Sequence, residues 1–255
     1  MIGCGKMGGA LLDHWMTGGE NFTIVDPGLD SAPDGARLLA DRAALGDERF
    51  DVIVVAIKPQ MIDDLIPPYR EHLEPGGYVL SIAAGTAAER IAQAMGGAPV
   101  VRVMPNLPAA VGRGVSGLYA DRAAETDPLT HAEAMMRRAG ATVTVDSEDK
   151  LDRVTAVAGS GPGYVFEIAR AYVAAAMEMG FSEGEARAMV LGTMGGAVAM
   201  AEAHGAPDLE TLRNSVTSKG GTTAAGLDAL NGDDLISARM RDTLAAAYNR
   251  AVELR

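Results

Sequence analysis

Short apolar runs, separated by turn residues and helical stretches, fill the first half of the chain. Phe22-Thr23-Ile24-Val25-Asp26 is a brief one ending in an acid, and Asp51-Val52-Ile53-Val54-Val55-Ala56-Ile57 is a continuous one that stops at Lys58-Pro59. Tyr78-Val79-Leu80-Ser81-Ile82-Ala83-Ala84-Gly85 is another, with a helical segment beginning near Thr86, and Pro99 to Met104 leads into Pro105-Asn106-Leu107-Pro108. Gly114 to Ala120 and Ala141 to Val145 read as later strands around a helix from about Asp127 to Ala139. Strands alternating with helices predict an α/β architecture with a doubly wound, mainly parallel sheet. One interval departs from that rhythm. Between Asp26 and Phe50, the stretch Gly28 to Gly35 is loop chemistry where a crossover helix belongs, so the second helix is expected to be short or absent.

The pattern changes after Val145. Alanine, methionine and leucine now recur at helical spacing, and strand signal is scarce. Gly159-Ser160-Gly161-Pro162-Gly163 interrupts before a predicted helix from Tyr164 to Met179. Further helices are predicted over about Ser182 to Ala203, Leu209 to Ser215, Thr223 to Leu230 and Leu235 to Leu254. The domain boundary therefore falls near residue 147, with a dinucleotide-binding domain over 1–147 and an all-helical domain over 148–255. The small, apolar run from Ala188 to Ala201 is too short to span a bilayer and suits close helix packing in a core or subunit interface.

The first chemistry lies at the start. Gly3-Cys4-Gly5-Lys6-Met7-Gly8 is a G-x-G-x-x-G sequence that runs into a helical apolar pattern. The first glycine permits a tight turn, the second a close approach of backbone to pyrophosphate, and the third close packing of helix on sheet. Asp26, ending the next strand, stands where a ribose-binding carboxylate is expected, or else opens the turn at Pro27-Gly28. Only Met1 and Ile2 precede the loop, so a first strand is expected to be unusually short or to lack a few residues. No apolar signal stretch precedes the glycines, and a single cysteine, Cys4, excludes an internal disulfide, in keeping with a reducing, cytoplasmic setting. Acidic residues outnumber basic ones 34 to 22 without a basic patch, which argues against nucleic acid as a partner. His14, His72, His131 and His204 lack the spacing of paired metal ligands, so no metal is expected.

A second glycine-rich turn lies far away. Ser218-Lys219-Gly220-Gly221-Thr222-Thr223 offers backbone N–H groups and hydroxyls able to hold a small carboxylate, or it is an ordinary polar turn. Ala56-Ile57-Lys58-Pro59 and Ala83-Ala84-Gly85 fall at carboxyl ends of predicted strands, the crevice for ligands in this architecture. Lys58 there is a candidate functional cation or a plain strand-ending lysine. Asn106, flanked by prolines, either orients a nicotinamide or stabilises its own turn.

These motifs, in this order and over essentially the whole chain, resemble the pyrroline-5-carboxylate reductase family. The resemblance is carried by Gly3 to Gly8, Ala56 to Gln60, Ser81 to Gly85, Met104 to Pro108, Gly159 to Pro162 and Val216 to Thr223. It implies a Rossmann-type domain followed by an all-helical dimerisation and substrate domain, an interlocked homodimer able to assemble further, and reduction of 1-pyrroline-5-carboxylate to L-proline with NADPH or NADH, the last step of proline biosynthesis. It further implies cofactor contacts from Gly3, Gly5, Lys6, Met7, Gly8, Asp26, Ala56, Lys58, Pro59, Ala83, Ala84 and Asn106. Ser218, Gly220, Gly221, Thr222 and Thr223 would bind the substrate, with Thr223 as the catalytic residue at the ring nitrogen. The family often has proline where this chain has Lys219, which bears on the rigidity of the turn. Asp26 and Asp30, with no arginine before Arg37, disfavour a 2′-phosphate and tilt the expectation toward NADH, although Ser31 could serve a phosphate. A β-hydroxyacid dehydrogenase would carry a lysine after the glycine motif, and Gly159 to Arg170 has none. Another small cyclic imino acid as substrate, or a dinucleotide sensor without turnover, are the alternatives.

Overall fold

The structure is a computed structural model and describes residues 1–254. They fall into two compact units, one formed by Met1–Pro162 with the segment from Ala246 onward, the other by Gly163–Ala245.

The first unit is built on seven strands: β1 (Thr23–Val25), β2 (Arg37–Leu39), β3 (Phe50–Val55), β4 (Leu73–Ser81), β5 (Val100–Met104), β6 (Gly114–Ala120) and β7 (Gly140–Thr144). β1 pairs with β2 in parallel, and β3 to β7 lie side by side in sequence order. Ile2 joins the two pieces by bridging in parallel to both Val25 and Val55. Its N–H donates to the Val54 carbonyl at 2.8 Å, while the Gly3 N–H donates to Val25 at 3.0 Å. A single bridging residue thus stands where a first strand belongs. Outward from it run β1 and β2 on one side and β3, β4 and β5 on the other, the order of a doubly wound dinucleotide fold. β6 runs antiparallel to β5, and β7 parallel to β6, so the sheet is mainly parallel rather than wholly so.

Both faces of the sheet are covered, which explains the uninterrupted apolar runs. Val54, Leu80 and Val101 pack on one face against Leu11, Leu12 and Trp15 of helix α1 (Lys6–Trp15) and Met135 and Met136 of α4 (Asp127–Arg137). Their strand neighbours Ile53, Val55, Val79 and Val100 point the other way, toward Ile62 of α2 (Ile62–Leu65) and Ile91 of α3 (Ala88–Ala94). Each such buried side chain contributes about 1.5–3 kcal/mol. Truncation of Leu80, fully buried at the centre, to alanine would cost about 2–5 kcal/mol. The odd interval after Asp26 holds β2 and one 3-10 turn, Arg42–Leu45, capped by Asp41, with no crossover helix.

After β7, Ser147 caps α5 (Glu148–Val154), which widens into a π-helical turn at Thr155–Gly159 before α6 (Gly161–Glu178) begins. The second unit continues with α7 (Glu183–Glu202), α8 (Leu209–Ser215) and α9 (Thr222–Asn231), and α10 (Leu235–Glu253) carries the chain back to the first. There the Tyr248 hydroxyl donates to Asp149 and the Arg153 guanidinium lies 5.5 Å over the Tyr248 ring. The Leu254 carbonyl abuts Gly85, whose φ of +65° no side chain would favour. Among the described residues no helix is long and apolar enough to cross a membrane.

Candidate active site

Ile2 and the parallel strands β1, β3, β4 and β5 end on one edge of the sheet, so five segments converge there: Gly3 to Gly8, Asp26, Ala56 to Pro59, Ser81 to Gly85 and Met104 to Leu107. The glycines divide their labour as the sequence predicts. Gly3 has φ +77°, and a Cβ on it would lie 2.7 Å from the Ile57 side chain and 3.0 Å from the Ala56 carbonyl. A Cβ on Gly8 would meet Met1 at 2.6 Å and Ala56 at 3.3 Å, so helix and strand touch there. Gly5 differs, since a Cβ on it would meet nothing within 4 Å. It caps α1 with no side-chain hydrogen bond, and no acid lies in the first turn. The first-turn N–H groups of Lys6, Met7 and Gly8 are thereby left for an anion, favoured by the helix dipole. A pyrophosphate fits this corner.

Asp26 is fixed rather than free to swing. One carboxylate oxygen accepts the Cys4 N–H at 2.7 Å and the other the Gly28 N–H at 2.8 Å. Each oxygen keeps a lone pair, enough for a ribose hydroxyl, while its charge opposes a 2′-phosphate. Arg37, the first arginine after Asp26 in the chain, opens β2 in register with Thr23 at the amino end of the strand pair, away from Asp26, and is bonded at 2.6 Å to Glu48. That pairing is not readable from the sequence, because the two residues lie on separate elements. Lys6 and Lys58 are exposed and have no ion pair among the described residues. Pro59 opens a 3-10 turn directly after Lys58. Ala83 is buried while Ala84 is exposed at the strand end, so two small residues line the crevice without closing it.

Asn106 is buried, and its amide is engaged at both ends. Oδ1 accepts the Val115 N–H at 2.8 Å, and Nδ2 donates to the Ala158 carbonyl at 3.0 Å. A second tie is Glu148, whose Oε1 accepts the Ala88 N–H at 2.7 Å and the buried Arg102 guanidinium at 2.8 Å. It caps α3 from a distance and holds the helix behind the Ala83-Ala84-Gly85 loop. Only the paired charges of Arg102 and Glu148 hinted at it, without naming the partner.

In the second unit, Gly220 has φ +72°, and the Gly221 N–H closes the turn on the Ser218 carbonyl at 3.0 Å. Gly221 then caps α9 as Gly5 caps α1, with no side-chain hydrogen bond and no acid in the first turn. Thr222 and Thr223 are the first two helical residues and both are exposed, so their N–H groups lie at the open start of the helix. A Cβ on Gly221 would lie 2.4 Å from the Ser218 hydroxyl, which explains glycine there. Lys219 is exposed beside them. By contrast α5, α7 and α8 begin with Ser147, Ser182 and Asp208, each accepting a backbone N–H in its side chain. α2, α3 and α4 also lack a cap hydrogen bond from the N-cap side chain, but each carries an acid in its first turn, whereas α1 and α9, which the sequence assigns to anions, carry none. A cavity of about 750 Å³ lies elsewhere, between the amino ends of β1 and β3 beside Phe22, Thr23, Phe50 and Tyr78, away from the carboxyl edge. No His, Cys, Asp and Glu cluster suited to a metal occurs among the described residues.

Residues 148–254 match the family model for pyrroline-5-carboxylate reductase dimerisation, and residues 1–85 match that for NADP oxidoreductase, coenzyme F420-dependent. A pyrroline-5-carboxylate reductase of Haemophilus influenzae is 37% identical, covering 99% of this chain and 96% of its own. The solved structure of a pyrroline-5-carboxylate reductase from Coxiella burnetii superposes with a TM-score of 0.90 at 32% identity, over 99% and 96% of the two chains. That of Plasmodium falciparum pyrroline carboxylate reductase with NADP bound shares the fold, with a TM-score of 0.83 at 23% identity over 99% and 96%.

Proposed function

The chain belongs to the pyrroline-5-carboxylate reductase family, and from that premise we propose how its own residues serve the reaction. It is an oxidoreductase that reduces the cyclic imine 1-pyrroline-5-carboxylate to proline, using NADPH or NADH, and it works as a homodimer. The bound dinucleotide supplies the hydride, which leaves binding, orientation and proton delivery to the protein.

The observation that carries the assignment of roles is the pair of glycine-capped helices. Gly3, Gly5 and Gly8 with the first-turn N–H groups of Lys6 and Met7 hold the pyrophosphate, and Lys58 and Lys6 add positive charge. Ala56, Pro59, Ala83 and Ala84 give the nicotinamide half an apolar, uncrowded floor. Ser218, Gly220, Gly221, Thr222 and Thr223 hold the substrate carboxylate at the start of α9, where dipole and donors favour it. Thr223 is the catalytic residue by touching the ring nitrogen. Its hydroxyl is too weak an acid to give up a proton near neutral pH, so it orients the nitrogen while water supplies the proton.

The finer claim is a preference for NADH. Asp26 is pinned by the Cys4 and Gly28 N–H groups with its charge at the ribose position, and Arg37 lies at the amino end of β2, paired with Glu48, so Asp26 repels a 2′-phosphate and Arg37 does not offset it. The match to an NADP oxidoreductase model over residues 1–85, which include Asp26, and the NADP held by the Plasmodium enzyme pull the other way. The test is loss of nicotinamide absorbance with each dinucleotide, with and without pyrroline-5-carboxylate. Imine-dependent oxidation, faster with NADH, is expected. No oxidation with either dinucleotide would overturn the assignment, and faster oxidation of NADPH the preference.

A further inference from the structure

Two of the motifs that carry the family resemblance meet inside the first unit. Met104-Pro105-Asn106 ends β5, and Ala158-Gly159-Ser160-Gly161-Pro162 joins the π-turn to α6. They touch at two points. Asn106 Nδ2 donates to the Ala158 carbonyl, and Met104 covers Gly159 so closely that a Cβ there would lie 2.8 Å from Met104 Cε. In a regular helix the Ala158 carbonyl would accept the N–H of the residue four places on. That residue is Pro162, which has no N–H.

We propose that Asn106 is a positioning residue: its side-chain amide replaces the backbone donor that Pro162 lacks, and so pins the start of α6 to the β5 loop. The amide cannot serve in the flipped sense, because Val115 offers only a donor and Ala158 only an acceptor. Val115 and Ala158 thereby fix the backbone of residues 104–107, one of the five segments at the carboxyl edge. Asn106 shapes the crevice through that backbone, with its own amide already occupied. The kinetic consequence rests on the reductase reading above, while the bracket itself does not.

The test compares four proteins: the wild type, Asn106→Ala, Pro162→Ala and the double variant. Pro162→Ala restores an N–H within reach of the Ala158 carbonyl, so it should rescue the loss of Asn106 in part. Alone it is expected to change kcat less than twofold. Asn106→Ala should lower kcat tenfold or more and shift the urea midpoint down, with KM for the imine within threefold. The double variant should recover at least threefold in kcat and part of the midpoint. Additive losses in the double variant would overturn the proposal, as would an unchanged kcat in Asn106→Ala. If Asn106→Ala does not fold, Asn106→Asp keeps the acceptor for Val115 and removes the donor to Ala158. A wild-type kcat in that variant would equally overturn the proposal. Coupled urea midpoints in proteins that never reduce the imine would support the bracket and count only against the reductase reading.

Discussion

At the scale of single residues, the strongest discriminator is Asp26, whose two oxygens are held by the Cys4 and Gly28 N–H groups. Asp26→Asn keeps an acceptor for one of them and removes the charge. The ratio of kcat/KM for NADH over NADPH is expected to fall about tenfold, which is about 1.4 kcal/mol of discrimination. An unchanged ratio would locate the preference elsewhere. Thr86 makes a different point. It is fully buried, and its hydroxyl has no hydrogen-bond partner among the described residues. Replacing it with the isosteric valine removes an unsatisfied polar atom and should stabilise the protein by about 1 kcal/mol, read as a higher urea midpoint. Sequence alone places Thr86 near the start of a helical segment, and a threonine gives no sign of which way it faces. The place of Asp26 at a strand end was legible from its spacing, whereas the place of Arg37 at the amino end of β2, paired with Glu48, was not, since register and pairing across elements are set by the fold.

Among elements, the uncapped starts of α1 and α9 were legible because both are written in local sequence, as glycine at the cap and no acid behind it. Gly221→Ala drives a Cβ onto the Ser218 hydroxyl. KM for the imine should rise tenfold or more, with KM for the dinucleotide within twofold, in steady-state kinetics. Equal effects on both would sink the carboxylate role of the turn. The strands were legible from their apolar runs, and the short second crossover from its loop chemistry. The antiparallel turn of β6 was not, because strand direction is set by the connection through Asn106 to Arg113 rather than by composition. The π-turn at Thr155–Gly159 read only as a glycine interruption. Between α1 and α4, Glu20 is joined by two hydrogen bonds to Arg138, at 2.6 and 2.7 Å. Arg138 chiefly holds the Glu20 carboxyl down, from 4.5 to about 2. A lowered folded-state value stabilises above the unfolded one and is lost as pH falls through the folded one. Stability should therefore decline between pH 4.5 and about 2, and Glu20→Gln should flatten that decline in acid-titrated urea melts.

For the whole molecule, the second unit exposes Val165, Phe166, Ile168 and Tyr172 on α6, and Met189, Leu191, Val198 and Met200 on α7. So much apolar surface marks an association face, in keeping with the dimerisation family match over 148–254. Phe166→Asp should shift the species seen in sedimentation from dimer toward monomer, and a dimer of unchanged affinity would place the contact elsewhere. Sequence marked this half as helical and small-residue-rich, but could not say which helix faces stay uncovered. The return of α10 to the first unit was likewise invisible, since Tyr248 and Asp149 are far apart in the chain. That return bears on how the protein is made. The first unit includes the segment from Ala246 onward, yet Gly163–Ala245 must be synthesised before that segment exists. At about 5–20 residues per second, the nascent sheet waits several seconds with the ground around Gly85 and Asp149 uncovered. Synthesis of that last segment, rather than collapse of the sheet, is the event that completes the first unit.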